Sequence, residues 1–165
     1  MKRAFFFGLL FATILFLWYC LEYAFGLHGT YIRYHELVSY FFAVPVVMVM
    51  ASAIRYRKQR LQNGNAVRFR ALFSFGFLVS LVTSLLVVPV MYLFVRWVNP
   101  DFLEALSRHA IQVRGMDADL AAQRYDIASF LVLHATLILV VGSVAAFVIS
   151  IIMAAKRTDH AAQTV

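Results

Sequence analysis

"IASFLVLHATLILVVGSVAAFVISIIMAA", Ile127–Ala155, decides the fold, because the only side chain in it able to carry a charge is His134. A helix crosses a hydrocarbon core with about 20 apolar residues, so this run spans with a turn or two left over. Working outward from it, three more runs share its character. Ala71–Val95 and Leu37–Ile54 carry no charge, and Ala4–Phe25 carries one, Glu22. The run Leu37–Ile54 is the shortest and only just long enough. These runs explain a hydrophobic content of 63% and a mean hydropathy of +0.80, where soluble domains are about 45–50% apolar.

Backbone that faces lipid must find its hydrogen bonds internally, which admits helices or closed barrels. The alternating segments of a barrel strand are missing from the sequence. The sequence therefore predicts an all-α integral membrane protein, a bundle of four transmembrane helices. The spans fall at about 4–26, 37–54, 71–96 and 127–155, and one polytopic domain fills 1–165. The opening, "MKRAFFFGLLFATILFLWYC", mimics a signal peptide, but no small-x-small cleavage site follows, so it reads as an uncleaved first span. Cys20 is the single cysteine, which excludes an intramolecular disulfide.

The net charge of +7 is unevenly distributed. "RYRKQRLQNGNAVRFR", Arg55–Arg70, is basic without an acid, and Lys2, Arg3, Lys156 and Arg157 flank the first and last spans. The two remaining loops hold Arg33, Arg96, Arg108, Arg114 and Arg124, together with most of the acids. Lys and Arg beside a span stay cytoplasmic. Both termini and the basic loop 55–70 are thus expected on the cytoplasmic side of the membrane, and loops 26–36 and 97–126 on the other side. Arg55, Arg57, Lys58 and Arg60 suit anionic lipid headgroups. Nucleic acid is not expected, since no recognition motif accompanies the charge.

"NPDFLEALSRHAIQVRG", Asn99–Gly115, carries helix punctuation. Asn99 can cap, Pro100 suits the first turn, Asp101 and Glu104 favour the positive end, and Gly115 can terminate. Leu103, Leu106, Ala110 and Val113 form an apolar stripe with Phe102 beside it. This predicts an amphipathic extracytoplasmic helix between spans three and four, lying on the membrane or over the bundle as a lid or strut. After it, Asp117 can cap a helix running through "ADLAAQRYD" into the fourth span.

Small residues let helices approach closely in lipid. Gly142, Ala146, Ser150 and Ala154 recur four apart in the fourth span. Gly76, Ser80 and Ser84 do so in the third, and Gly8 and Ala12 in the first. These stripes read as internal seams, or as a homo-oligomer face where one is left outside the bundle. Pro45 and Pro89 each remove a backbone donor and are expected to bend their spans.

Three ionisable groups fall at similar depth toward one end: Glu22, Arg96 and His134. Ionisable residues inside a span usually face the protein interior and find partners, which predicts a Glu22–Arg96–His134 polar cluster. His28, Arg33 and His35 lie close enough in sequence to contribute. Arg96 neutralising Glu22 would staple two helices, whereas an acid and a histidine would also suit a minimal proton relay. Trp18, Tyr19, Tyr23, Tyr92 and Trp97 read as an interfacial belt.

Catalytic signatures are missing from the sequence. It has neither GxGxxG nor a P-loop, no HExxH, no cysteine pair and no GxSxG elbow. His28 and His35 are seven apart, which is weak metal spacing. No catalytic, cofactor-binding or metal-binding residue is assigned.

Several short motifs carry a resemblance. They are the early Gly8, then "LEYAFGLH" at Leu21–His28, and the arginine-led loop from Arg55 to Gly64 followed by "VRFRALFSFG". The last is "NPDF" at Asn99–Phe102. The pattern resembles a bacterial membrane family known as domain of unknown function 4199, over most of the chain. The resemblance implies a four-span integral membrane protein of bacteria and implies no activity and no functional residues. The expected role is non-catalytic: a scaffold, or an accessory subunit with a membrane-protein partner. The alternative is a small homo-oligomeric channel or proton-linked transporter on Glu22 and His134, and the third is an intramembrane enzyme.

Overall fold

A computed structural model describes residues 1–61 and 67–155. Among these residues the regular structure is helical throughout, without strands. The order is α1 (Lys2–Ala24), a 3-10 turn (Ile32–Tyr34), α2 (His35–Tyr40), α3 (Ala43–Leu61), α4 (Phe69–Leu93), a π-helical turn (Phe94–Val98), α5 (Phe102–Arg114), α6 (Ala118–Arg124) and α7 (Ile127–Ala155). Four segments are long and apolar enough to cross a membrane: Lys2–Ala24, Ile32–Leu61, Phe69–Val98 and Ile127–Ala154. The all-α fold with four such helices and an amphipathic helix between the last two is as the sequence predicts.

The second segment departs from the sequence reading in two ways. Its helix breaks at Phe41–Phe42 and restarts at Ala43, which places Pro45 in the first turn of α3. Proline costs little there, because first-turn donors have no helical partner, so Pro45 starts a helix where it was expected to bend one. At the other end α3 continues to Leu61, taking Arg55, Arg57, Lys58 and Arg60 with it. Arg, Lys and Gln are good helix formers, and Lys58 reaches across to the Met153 carbonyl of α7. Gly64 of the basic loop, and Lys156 and Arg157 of the tail, lie outside the described residues.

Helix α4 is the centre of the bundle, packing on α1, α3 and α7. Its small residues explain why. A Cβ on Gly76 would stand 2.7 Å from the Ala146 Cβ of α7. A Cβ on Gly142 would stand 2.6 Å from Ser80 Oγ, and one on Gly8 2.6 Å from Val82 Cγ1. Close backbone approach at glycine and alanine is the packing mode lipid favours, where no hydrophobic drive separates helix from tail. Gly142, Ala146 and Ser150 are buried in this seam, with Ala154 half-buried at its end. Ser80, Thr83 and Ser84 turn their hydroxyls back to the carbonyls of Gly76, Val79 and Leu81, which satisfies them without a neighbour. The outward faces carry apolar side chains, such as Leu85 at 67% and Val132 at 66% exposure, as lipid contact requires.

Two buried clusters fill the bundle. One, at the end bearing Lys2 and Arg57, gathers Ala4, Phe7, Met50, Ile54, Leu72 and Val79. The other, at the end bearing Glu22, is aromatic: Phe11, Tyr19, Phe94, Phe102 and Phe130.

The connection from α4 to α7 shows three local departures. Pro89 lies inside α4, and past it the chain widens into the π-helical turn, closed by the Asn99 amide on the Phe94 carbonyl at 2.9 Å. Helix α5 then begins at Phe102, two residues later than Pro100 suggested, and ends at Gly115 in the left-handed conformation, φ 64°. Phe102 and Ala110 are its buried residues, while Val113 of the expected stripe is exposed. Asp117 caps α6 through the amides of Asp119 and Leu120. That helix does not run on into α7, because Asp126 caps α7 afresh through Ala128 and Ser129.

Candidate functional site

The site grows from the end of α1. The Leu27 amide bonds the Glu22 carbonyl at 3.0 Å, and the Gly26 amide bonds the Tyr23 carbonyl at 2.9 Å. With Gly26 at φ 73°, this is a Schellman ending, which needs a residue tolerant of the left-handed region. It folds the chain back over the last turn of α1, so that His28 faces Glu22. The 3-10 turn then delivers His35 as the first residue of α2.

Glu22 is 1% exposed, and its two carboxylate oxygens have different surroundings. Oε1 accepts two ordinary hydrogen bonds, from Trp18 Nε1 at 2.7 Å and from Ser39 Oγ at 2.9 Å. Oε2 faces two histidines, with His28 Nε2 at 3.3 Å and His35 Nδ1 at 3.4 Å. The approach of His35 Nδ1 lacks hydrogen-bond geometry, and this buried nitrogen has no hydrogen-bond partner among the described residues. His28 Nδ1 is met by the Asn99 side-chain amide at 3.3 Å. Burial pushes the His28 imidazole below the usual histidine range, against the opposing pull of its bond to Glu22.

Aromatic rings enclose this group. Phe102, at the start of α5, lies 4.2 Å from the His28 ring and 5.5 Å from the His35 ring. Tyr19 packs on both rings at 5.9 and 6.4 Å. Its hydroxyl reaches His134 Nε2 at 2.8 Å, while His134 Nδ1 meets the Phe130 carbonyl at 2.9 Å. A carbonyl only accepts, so Nδ1 carries the proton and Nε2 accepts from Tyr19. A cavity of about 150 Å³ borders Tyr19, His35, His134 and Arg124.

The structure thus assembles a polar group at Glu22 with membership different from the expected one. Arg96 is not in it. The residue lies in the π-helical turn, whose extra residue per turn changes the angular phase of the helix. Phe94 and Val95 face inward there, and Arg96 and Trp97 outward. Outward exposure also spares the guanidinium a desolvation cost of several kcal/mol. His134 is near in depth but bonds Tyr19 rather than Glu22. Arg33 stacks over the Tyr34 ring. Trp18 and Tyr19, read as interfacial anchors, turn inward as hydrogen-bond donors. Asn99, read as a helix cap, is buried and bonds His28. The signal for His28 was present in "EYAFGLH": a glycine four residues after Glu22, able to reverse the chain upon it.

A family model described as "Protein of unknown function (DUF4199)" matches residues 6–157. Comparison with curated proteins and with solved structures gives no match. The chain belongs to the DUF4199 family.

Proposed function

We propose that this DUF4199 member is a non-catalytic, multi-pass protein of the bacterial inner membrane, working as a scaffold or accessory subunit of a membrane complex. Its termini and basic segment 55–70 are cytoplasmic in this reading, and α5 covers the opposite end. The observation that carries it is the closed Glu22 end: the carboxylate is enclosed by Trp18, Ser39, His28 and His35 beneath a roof of Phe102. Such a group rigidifies helices, whereas a conduction path needs a polar group reachable by water from both sides.

The orientation draws support from charge. Lys2, Arg3, Arg57 and Arg60 surround a cavity of about 670 Å³ at the end opposite Glu22. Clustered Lys and Arg beside a span attract anionic headgroups of the cytoplasmic leaflet.

Native mass spectrometry of the protein released gently from its own membrane tests the reading. A stoichiometric companion of different mass is the expected result. A homo-oligomer without a companion would overturn it and favour a channel or proton-linked transporter on Glu22 and His134. Liposome flux, wild type against Glu22→Gln, separates the two: an accessory subunit gives none in either form.

A further inference from the structure

We propose that Glu22, His28 and His35 form a binding site for one divalent transition-metal ion, with zinc the best-matched ion. This inference does not depend on the scaffold reading. The three residues are buried, and one ligand atom from each can be chosen so that all lie within 4.8 Å of one another. Two imidazoles and a carboxylate are a donor set that borderline divalent ions take readily.

The distances around Oε2 leave room for a shared cation. Hydrogen bonds to a carboxylate are about 2.7–2.9 Å long, as Trp18 and Ser39 are to Oε1. The two histidine contacts to Oε2 are longer: His28 Nε2 makes a stretched hydrogen bond at 3.3 Å, and His35 Nδ1 stands at 3.4 Å without hydrogen-bond geometry. A tetrahedral zinc about 2.0–2.1 Å from each donor holds the donors about 3.3–3.4 Å apart, which the two histidine–Oε2 pairs match, with the two imidazole donors within 4.8 Å of each other. The unpartnered His35 Nδ1 makes the same point. In a dry cluster it is a buried polar atom without a bond among the described residues, which is costly, and a shared cation removes that deficit.

The surroundings supply what a metal site needs. Trp18 and Ser39 hold the second oxygen of Glu22, which orients the carboxylate. With His28 Nε2 on the ion, its Nδ1 carries the proton, and rotation of the Asn99 amide presents an oxygen to it. One carboxylate and two neutral imidazoles leave a divalent ion with net charge +1 and a position for water or an anion. The seven-residue spacing of His28 and His35 argued against a metal only while both were read as loop residues. The Schellman reversal at Gly26 and the restart at α2 remove that argument, because spacing along a folded-back loop no longer measures distance in space.

The experiment uses full-length, tag-free protein in detergent, stripped with chelator and titrated with Co²⁺ as a visible probe. One equivalent is expected to bind with the d–d spectrum of a low-coordinate nitrogen–oxygen site, and one equivalent of Zn²⁺ should displace it. His35→Ala should weaken binding at least about tenfold, while His109→Gln, on α5, should leave it unchanged. Should His35→Ala fail to fold, X-ray absorption of the zinc-loaded wild type decides, since two imidazoles in the first shell support the site. A folded wild type that binds no Co²⁺ would overturn the proposal, as would a zinc shell lacking imidazole or binding unchanged in a folded His35→Ala.

Discussion

The side-chain amide of Asn99 lies 3.3 Å from Nδ1 of His28, seventy-one residues earlier in the chain. This contact joins the end of the third span to the loop that follows the first, and both groups are buried. Asn99→Ala leaves the His28 nitrogen without a partner in a dry site. The expected loss is about 1–3 kcal/mol, read as a lowered Tm of the detergent-solubilised protein. An unchanged Tm would mean that the contact is incidental.

Helix α5 is held over the bundle by an aromatic anchor rather than by charge. Phe102 is fully buried, with Phe94 and Phe130 each 5.8 Å away. Arg114, at the other end of α5, pairs with Glu36 at 2.6 Å, but both side chains are substantially exposed. Phe102→Ala should cost about 3–5 kcal/mol, and Arg114→Ala less than about 1 kcal/mol after solvent screening. Chemical denaturation of the two variants side by side checks the order, and the reverse order would refute the anchor.

The reversal after α1 depends on one glycine. Gly26→Ala puts a Cβ at φ 73°, which costs about 1–2 kcal/mol and displaces His28 from Glu22. Gly29, three residues on, has nothing within 4 Å of its missing Cβ. Gly29→Ala is expected to change stability by less than about 0.5 kcal/mol. Thermal unfolding of both variants tests this, and equal Tm values would show that the left-handed turn is not what sets the loop.

The central seam should be sensitive to single methyl groups. Gly76→Ala brings two Cβ atoms to 2.7 Å, and overpacking of this kind costs about 1–3 kcal/mol. Adding Ala146→Gly moves the methyl group to the other side of the seam and should recover part of the loss. A double-mutant cycle reads the coupling, and strict additivity would place the two residues out of contact.

The site was less legible in the sequence than the fold, and particular residues show why. Four helices follow from four charge-poor runs, because a backbone in lipid has no other way to satisfy itself. The helix Phe102–Arg114 was legible from its amphipathic stripe and from Gly115. Arg96 misled because its depth was legible while its direction was not: depth follows from counting residues, and direction from a π-helical turn that no composition signals. Tyr19 misled because an interfacial aromatic and a buried donor have the same side chain. Asp126 was read through as part of a continuing helix, since an aspartate is tolerated in a helix yet caps one when the chain turns.

The sequence by itself determined that the chain is helical, how many segments can span and where the amphipathic helix lies, and its charge bias motivates an orientation. Those properties depend on the transfer of residues between water and lipid, which each segment decides for itself. Only the tertiary structure decided that Glu22 meets His28 and His35 rather than Arg96, that Tyr19 takes His134, and that Asn99 leaves its cap for the site. Those pairings depend on the rotation of each helix about its axis and on one left-handed turn at Gly26. Such rotations are set by which small residues let two backbones touch, and no segment holds that information alone.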